Sequence, residues 1–413
     1  MILKQVIKNP TTANLIFRDY NKAILTDVQY HIKSLILGYQ FFHIMASNKF
    51  SRRNFIKTGS IAAGGLVLSP ALSSLAGIST RPGKKLGIAL VGLGYYSLGQ
   101  LGPALQHTKN CYLAGIVTGT PAKAVEWSKR YNIPQKNIYN YQNFDGIASN
   151  PDIDIIYVVL PVFMHKEFTI RAAKAGKHVI CEKPMALNAK DCEEMIAACK
   201  KANRLLSIGY RLHFEPHNLE VMRLGQQRTF GKVTKIDTGN GFTYGGDPNA
   251  WRLKKALAGG GGLMDMGIYS IQGTRYTLGQ EPIAVKATQE KTRPELFKEV
   301  DETVFWELEF PGGFKTTGKS SYNNNWSYLK VEEERGKFEL GPAFGYGGID
   351  GSVNGKQMPF PQIIQQAAQM DDFATCVTRN KQSRVPGEEG LKDMKVVDAI
   401  YRSLDSGKWE KIS

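Results

Sequence analysis

From Leu86 to about Tyr210, runs rich in aliphatic residues alternate with helical patterns, and few folds satisfy such an alternation. The runs are LGIALVG, YLAGIVTG, IDIIYVVLP, HVICEKP and LLSIGY. Segments with helical spacing separate them, among them PAKAVEWSKRYNI, HKEFTIRAAKAGK and NAKDCEEMIAACKKAN. Continuous apolar strands between helices are typical of a parallel sheet that helices cover on both faces. The pattern predicts an α/β domain with a doubly wound parallel sheet over residues 86–210.

The pattern changes after about residue 230. The segments KVTKIDTGNGFTY, IAVKATQE, TVFWELEF, FKTTGKSSY and SYLKVEEERGKFEL show alternation or a β-rich composition. Such segments predict a mixed or antiparallel sheet. Two helices are expected near Ile363–Thr378 and Gly390–Leu404. Residues 211–413 are therefore predicted to form a second, α+β domain.

The turn Gly92-Leu93-Gly94-Tyr95-Tyr96-Ser97 follows the first predicted strand and opens a helix. This is the context in which a Rossmann domain binds the pyrophosphate of a dinucleotide, because glycine lets the backbone approach the phosphates at a helix N-terminus. The third position of the motif is serine, which is small but is neither glycine nor alanine. Taken alone, the motif fits a dinucleotide site and an ordinary strand–helix turn equally well.

The second predicted strand ends at Thr118-Gly119-Thr120, where an NAD enzyme usually places a carboxylate on the ribose diol. The sequence has no carboxylate there, and Lys123 follows. A missing carboxylate beside a cation favours the 2′-phosphate of NADP. The alternative is a solvated surface lysine.

The region before the first domain contains, in order, the features that are typical of an export signal. Arg52 and Arg53 precede the uncharged run Gly59–Gly77, which Pro70 interrupts. This run is too weakly apolar to form a stable transmembrane segment. We expect a twin-arginine signal at residues 45–77 that is read by the twin-arginine machinery, a periplasmic product and no stable membrane anchor. The first 44 residues are interpreted as an upstream extension before Met45. The alternative is that the arginine pair occurs by chance, because such pairs are common in a basic chain.

Charge and cysteine content narrow the function classes. The net charge of +16 is uneven, because residues 1–85 hold 12 Lys and Arg against 2 Asp and Glu, and the remainder holds 41 against 35. A balance this close after residue 85, without basic-aromatic motifs, argues against nucleic-acid binding. The five cysteines lack the spacing of a metal site and are expected to be free and buried, with no metal bound.

The segment Cys181-Glu182-Lys183-Pro184 lies at the end of the predicted strand HVICEKP, and GYRLHFEPHN, WRLKKALAGGGGLMDMGIYSIQGTRYTLG and PGEEGLKDMKVVDAIY lie beyond it. With these motifs the chain resembles the glucose-fructose oxidoreductase and inositol dehydrogenase (Gfo/Idh/MocA) family, nearest to its glucose-fructose oxidoreductase branch. The resemblance spans about Leu86 to the C-terminus. It implies a Rossmann domain for residues 86–210, and a substrate and oligomerisation domain with a large open, mostly antiparallel sheet for residues 211–413. It also implies retained NADP, export, and a homodimer or homotetramer.

The resemblance implies that Lys183 lies beside the nicotinamide and that Asp265 and Tyr269 complete a catalytic site. The tyrosine stands where other branches have a histidine and resembles the glucose-fructose branch, which implies that it transfers the proton. Asp265 and Tyr269 are four residues apart, so on a helix they share a face. Without the family, we would interpret them as a capping aspartate and a half-buried tyrosine.

The family pattern extends to further cofactor contacts. His165 matches a family histidine, but Val162 stands where an asparagine is expected, so a contact to the ribose or the nicotinamide edge is in doubt. Arg211, Trp251 and Arg252 match positions around the nicotinamide and substrate, with interdomain packing as the alternative. The predicted cofactor-binding set is Gly92, Leu93, Gly94, Tyr95, Tyr96, Thr118, Gly119, Lys123, Leu160, Pro161, His165, Glu182, Lys183, Arg211, Trp251 and Arg252.

These expectations define a sugar oxidoreductase that transfers a hydride between C1 of a cyclic aldose and tightly bound NADP, which a second carbonyl sugar recycles. One alternative is an exported NAD-dependent glycoside hydrolase of the redox type, against which Lys183 argues because such relatives tend to lack it. Another is a non-catalytic sugar-binding or scaffold protein.

Overall fold

The computed structural model describes residues 84–413. The expected upstream extension at residues 1–44 and the expected signal at residues 45–77 lie outside the described residues and stay predictions.

The first sheet has six strands, all parallel to their neighbours, in the order β3-β2-β1-β4-β5-β6. The predicted doubly wound sheet is thus confirmed. The strand order reverses between β1 and β4, and ligands of such sheets bind outside the carboxyl ends of the strands at that point. The strands are β1 Leu86–Val91, β2 Cys111–Val117, β3 Ile138–Tyr139, β4 Ile155–Val158, β5 His178–Cys181 and β6 Leu206–Ile208.

Helices connect these strands as predicted. A proline at the first position suits a helix start, and the helix expected from Pro121 does begin there. The side chain of Asn188 caps the last of them by accepting a hydrogen bond from the Asp191 amide. The helices are α1 Gly102–Leu105, which a π-helical turn at Ser97–Leu101 precedes, α2 Pro121–Tyr131, α3 His165–Lys174 and α4 Ala189–Lys201.

The second sheet has nine strands in the order β14-β13-β12-β11-β7-β10-β9-β8-β15. Neighbouring strands in it are antiparallel, except that β7 and β10 are parallel, so the predicted mostly antiparallel sheet is confirmed. The strands are β7 Val233–Gly241, β8 Ala284–Glu290, β9 Thr303–Glu309, β10 Lys315–Ser321, β11 Ser327–Glu333, β12 Gly336–Leu340, β13 Gly351–Val353, β14 Lys356–Gln357 and β15 Glu410–Lys411.

The remaining helices are α5 Pro216–Gln226, α6 Lys255–Ala258, α7 Ile268–Leu278, α8 Gln365–Arg379 and α9 Gly387–Ser406. Helix α7 lies against β7 and β10. The two helices expected near the C-terminus are α8 and α9, each within a few residues of its predicted bounds.

Helix α8 packs on the first sheet although it follows the second one in the chain. Its buried side chains Met370 and Phe373 share a core with Ile88 and Leu90 of β1. The carboxylate of Asp371 accepts hydrogen bonds from the backbone amides of Lys109 and Asn110, just before β2. The predicted boundary at residue 211 follows the order of the chain. In the packing, α8 from the C-terminal part returns and contacts the first domain.

Among residues 84–413, no helix is long and apolar enough to cross a bilayer. The same residues contain no cluster of three or more His, Cys, Asp or Glu side chains that could hold a metal ion.

Candidate active site

A cleft of about 390 Å³ opens at the carboxyl ends of β1, β2, β4 and β5, and the segment before α7 closes its other side. It gathers most of the predicted site residues. Its walls are formed by Gly92, Leu93, Gly94, Tyr95, Tyr96, Gln100, Thr118, Thr120, Lys123, Tyr141, Val159, Leu160, Pro161, Val162, His165, Glu182, Lys183, Pro184, Trp251, Arg252, Ala258, Gly260, Gly261, Met264, Asp265, Tyr269, Tyr322 and Tyr346.

The glycine turn after β1 forms the floor of the cleft. Gly92 has a φ of +98°, and a Cβ there would lie 2.4 Å from the Val159 carbonyl oxygen, so only glycine fits. A Cβ on Gly94 would meet no atom within 4 Å, which leaves this backbone open to the cleft. Ser97 donates its hydroxyl to the Gly92 carbonyl at 2.6 Å. The serine thus closes the turn, which explains why the third position tolerates it.

We call the wall formed by Thr118, Thr120, Lys123 and Tyr141 the β2 end. Gly119 is not among the residues that line the cleft, and the Tyr141 ring packs against it, 2.9 Å from where a Cβ would lie. The β2 end thus presents two threonines, a lysine and a phenol. The two carboxylates that line the cleft, of Glu182 and Asp265, lie toward its other end; Glu182 follows β5, three strands from β2.

We call the group Lys183, Asp265, Tyr269 and Tyr322 the lysine end. The Lys183 ammonium donates to the main-chain carbonyl of Asp265 at 2.7 Å and to its Oδ1 at 3.1 Å, and it lies 4.7 Å from the centroid of the Tyr269 ring. Burial opposes the charged ammonium, but Tyr269 and Asp265 outweigh it and raise the pKa of Lys183 above its usual value. The lysine is therefore a permanent cation beside the phenol.

Asp265 is held from three sides. Lys183 binds Oδ1, the Tyr322 hydroxyl donates to Oδ2 at 2.9 Å, and Nε of Arg252 lies 3.6 Å from Oδ2. Burial would raise the pKa of Asp265, but Lys183 and Arg252 lower it to about 2. The carboxylate stays ionised at any working pH.

A glycine run, residues 259–262, brings Asp265 to this point. The carboxylate of Asp301 accepts hydrogen bonds from the amides of Gly261 and Leu263, at 2.8 and 2.7 Å, and from the Tyr401 hydroxyl. A Cβ on Gly260 would lie 1.7 Å from that hydroxyl, so the run must be free of side chains. Asp265 lies in a π-helical turn, Leu263–Gly267, that leads directly into α7 with Tyr269, so the two are in one helical segment as predicted.

His165 and Glu182 line the cleft from buried positions. The ring nitrogens of His165 lie 3.0 Å from the Pro184 carbonyl and 2.8 Å from the Leu160 carbonyl, and burial lowers its pKa. Glu182 accepts the Tyr157 hydroxyl at 2.7 Å, and burial raises its pKa. His165 thus lies between the loop after β4 and the loop after β5 that carries Lys183. Val162, in place of the family asparagine, is a buried part of the wall.

Arg211 does not line the cleft. Its guanidinium is buried and donates to the carbonyls of Phe344 and Gly345 and to the Gln365 side chain. These contacts join the start of the second domain to the loop after β12 and to α8. The guanidinium also lies 5.3 Å from the centroid of the Tyr269 ring and 4.5 Å from that of Tyr346, so Arg211 packs beside the predicted catalytic tyrosine from behind the cleft wall. Its place around the nicotinamide stays a prediction. Trp251 and Arg252, in contrast, do line the cleft.

Three tyrosines of the wall, Tyr141, Tyr322 and Tyr346, were not identified from the sequence. Tyr346 lies on the loop between β12 and β13, is 49% exposed, and its ring centroid is 5.5 Å from that of Tyr96. None of the three belongs to a short motif, and each reaches the cleft through strand order and not through sequence spacing.

Comparison with known proteins identifies two family profiles that the chain matches and several relatives. Residues 86–210 match the profile of an oxidoreductase family with an NAD-binding Rossmann fold, and residues 219–340 match the GFO/IDH/MocA C-terminal domain. The chain is 27% identical over 335 residues to the D-xylose 1-dehydrogenase [NADP(+)] of Haloarcula marismortui, over 77% of this chain and 91% of that one.

Two solved structures share the fold. The aldose-aldose oxidoreductase of Caulobacter crescentus, complexed with glycerol, superimposes with a TM-score of 0.76 at 42% identity, over 79% of this chain and all of that one. A levoglucosan dehydrogenase in complex with NADH superimposes with a TM-score of 0.68 at 20% identity, over 80% of this chain and all of that one. The chain belongs to the Gfo/Idh/MocA family of oxidoreductases.

Proposed function

We propose that the protein is an NADP-dependent sugar oxidoreductase that transfers a hydride between C1 of a cyclic aldose and tightly bound NADP. The observation that carries this proposal is the convergence of Lys183, Asp265 and Tyr269 at one end of a cleft whose floor is an open glycine turn. A phenol, a fixed cation and an ionised carboxylate are the groups that alcohol oxidation needs, because a hydride and a proton must leave together.

The β2 end supports NADP over NAD. A carboxylate would normally bind the ribose diol of NAD, and here Lys123 and two threonines line the wall in its place. A lysine with neighbouring hydroxyls suits a phosphate. The open backbone at Gly94 leaves room for the pyrophosphate. The xylose dehydrogenase relative is likewise named for NADP.

Two relatives support a sugar substrate. The xylose dehydrogenase covers most of this chain, and the aldose-aldose oxidoreductase does so at 42% identity. Both names describe oxidation of an aldose, and the second describes a reaction between two aldoses. A single cleft then serves both half-reactions in turn.

In this proposal, bound NADP supplies the hydride acceptor, and the protein handles the proton. Tyr269 takes the proton of the sugar C1 hydroxyl as the C1–H bond breaks, and the nearby Lys183 ammonium stabilises the phenolate that accepts it. Asp265 keeps Lys183 in place and has lone pairs left for a sugar hydroxyl. In the return reaction, Tyr269 gives its proton to the oxygen of a carbonyl sugar.

The predicted signal at residues 45–77 supports a periplasmic location after export of the folded, loaded enzyme. Outside the cytoplasm no pool of free NADP would replace a lost molecule. Retention of the cofactor and its recycling by a second sugar are therefore parts of one proposal. The homodimer or homotetramer implied by the family stays an expectation.

Two alternatives lead to different products. A redox-type glycosidase would release a sugar from a glycoside without a second carbonyl substrate. A sugar-binding scaffold would leave the cofactor unchanged, and the bonded Lys183–Asp265 pair beside Tyr269 argues against it.

The test uses purified full-length protein. Mass spectrometry identifies the nucleotide that co-purifies, and we expect NADP. Addition of an aldose should then raise the absorbance at about 340 nm once, by an amount near one cofactor per chain, and a carbonyl sugar should reverse it. Absence of any absorbance change with a panel of aldoses would contradict the proposal.

A further inference from the structure

The Tyr322 hydroxyl is the buried donor that faces Asp265 from the side opposite Lys183. Tyr322 follows β10, and its side chain is 1% exposed. It donates to Oδ2 of Asp265 at 2.9 Å, while Lys183 binds Oδ1 and the main-chain carbonyl of the same residue. One carboxylate therefore connects a tyrosine of the second sheet to the lysine that follows β5.

The ring of Tyr322 is fixed independently of that hydrogen bond. Phe242, Tyr244 and Phe297 surround it with ring centroids 5.3, 5.6 and 5.9 Å away. Its backbone amide donates to the Glu302 carbonyl at 2.8 Å, and its carbonyl accepts the Tyr244 amide at 2.7 Å. The hydroxyl is therefore directed by a packed aromatic cluster and has little freedom to turn away.

Arg252 is the competing partner of Asp265. Its side chain is 45% exposed, and its Nε lies 3.6 Å from Oδ2, beyond hydrogen-bond distance. Without the Tyr322 hydroxyl, Oδ2 would be free to rotate toward this guanidinium at the mouth of the cleft. That rotation would move Oδ1 away from the Lys183 ammonium.

We propose that Tyr322 is a positioning residue, whose hydroxyl holds Asp265 in the rotamer that places the Lys183 ammonium against the Tyr269 ring. This inference rests on the proposed function, in which Lys183 stabilises the phenolate of Tyr269. Tyr322 acts through Asp265. It affects the rate of proton transfer and leaves the binding of nucleotide to other residues.

The test compares Tyr322→Phe with Tyr244→Phe. Both changes remove one hydroxyl from the same aromatic cluster, but the Tyr244 hydroxyl donates to the Asp247 carbonyl and has no contact with Asp265. We expect Tyr322→Phe to lower kcat about tenfold, the effect of losing a hydrogen bond to a charged group. The KM for the sugar, the Kd for NADP and the Tm should match those of Tyr244→Phe, whose kcat should equal that of the wild type.

A double-mutant cycle separates positioning from general packing. In the Asp265→Asn background, Tyr322→Phe should change the residual rate by less than about twofold, because the carboxylate it orients is gone. A tenfold loss that persists in this background, an equal loss in Tyr244→Phe, or wild-type kcat in Tyr322→Phe would each overturn the inference. If wild-type protein fails to reduce its cofactor with any aldose, it is the proposed function that fails.

Discussion

At the β2 end of the cleft, Lys123 is solvent-exposed and Thr118 and Thr120 are its neighbours. At the lysine end, the ammonium of Lys183 and the carboxylate of Asp265 are bonded to each other, and their side chains are 12% and 26% exposed. An exposed cation recognises charge through water and tolerates small displacements. A partly buried, bonded pair has a narrower range of geometries and loses it when one partner is removed. In the proposed function, the β2 end therefore selects and retains the nucleotide, and the lysine end sets the rate.

The largest effect is expected at the lysine end. Lys183→Ala should lower kcat by about 100-fold or more, because it removes the preorganised charge beside Tyr269. Affinity for NADP should stay close to wild type, since in the proposed function the glycine turn and the β2 end would hold the pyrophosphate and the 2′-phosphate. Steady-state kinetics with an aldose and calorimetry on nucleotide-free protein measure the two quantities. Wild-type turnover would remove Lys183 from the mechanism.

A smaller effect, on nucleotide affinity and not on kcat, is expected from Lys123→Glu. A carboxylate facing the 2′-phosphate should weaken NADP about 10- to 100-fold and NAD far less. Lys129→Glu is the matched control, because it reverses an exposed charge on the same helix, α2, without lining the cleft. Equal weakening of both nucleotides, measured by calorimetry on stripped protein, would show that Lys123 does not recognise the phosphate.

The smallest effect is expected for Tyr141→Phe. It makes the same chemical change as Tyr322→Phe but at the β2 end, where the Tyr141 ring packs against Gly119 and forms part of the wall. We expect the Kd for NADP to rise by less than about threefold, with kcat unchanged, because the change removes one neutral hydroxyl from the wall and leaves the ring in place. A tenfold fall in kcat would remove the distinction between the two ends.

The sequence predicted the parts of the fold that local patterns determine. The strands and helices of residues 86–210 follow hydrophobic periodicity, and the glycine turn requires a positive φ at Gly92, so both could be identified without a structure. The pair Asp265 and Tyr269 came from the family resemblance, and the structure brings both to Lys183.

Contacts between distant segments could not be predicted in the same way. Tyr322 reaches Asp265 because β10 lies beside the segment that precedes α7, and Arg211 binds carbonyls of the loop after β12. The return of α8 to the first sheet has the same origin. Tertiary pairing decides these positions, and no spacing in the sequence encodes it.

The division of roles between the two ends is tested most directly by single-turnover reduction of bound NADP with saturating aldose. Tyr269→Phe and Lys123→Glu should be compared at nucleotide concentrations that fill both variants. The account predicts that Tyr269→Phe slows reduction, and its reversal by a carbonyl sugar, by a similar factor of about 100 or more, while Lys123→Glu reduces its bound cofactor at the wild-type rate. A normal rate in Tyr269→Phe, or an equal loss in Lys123→Glu, would contradict it.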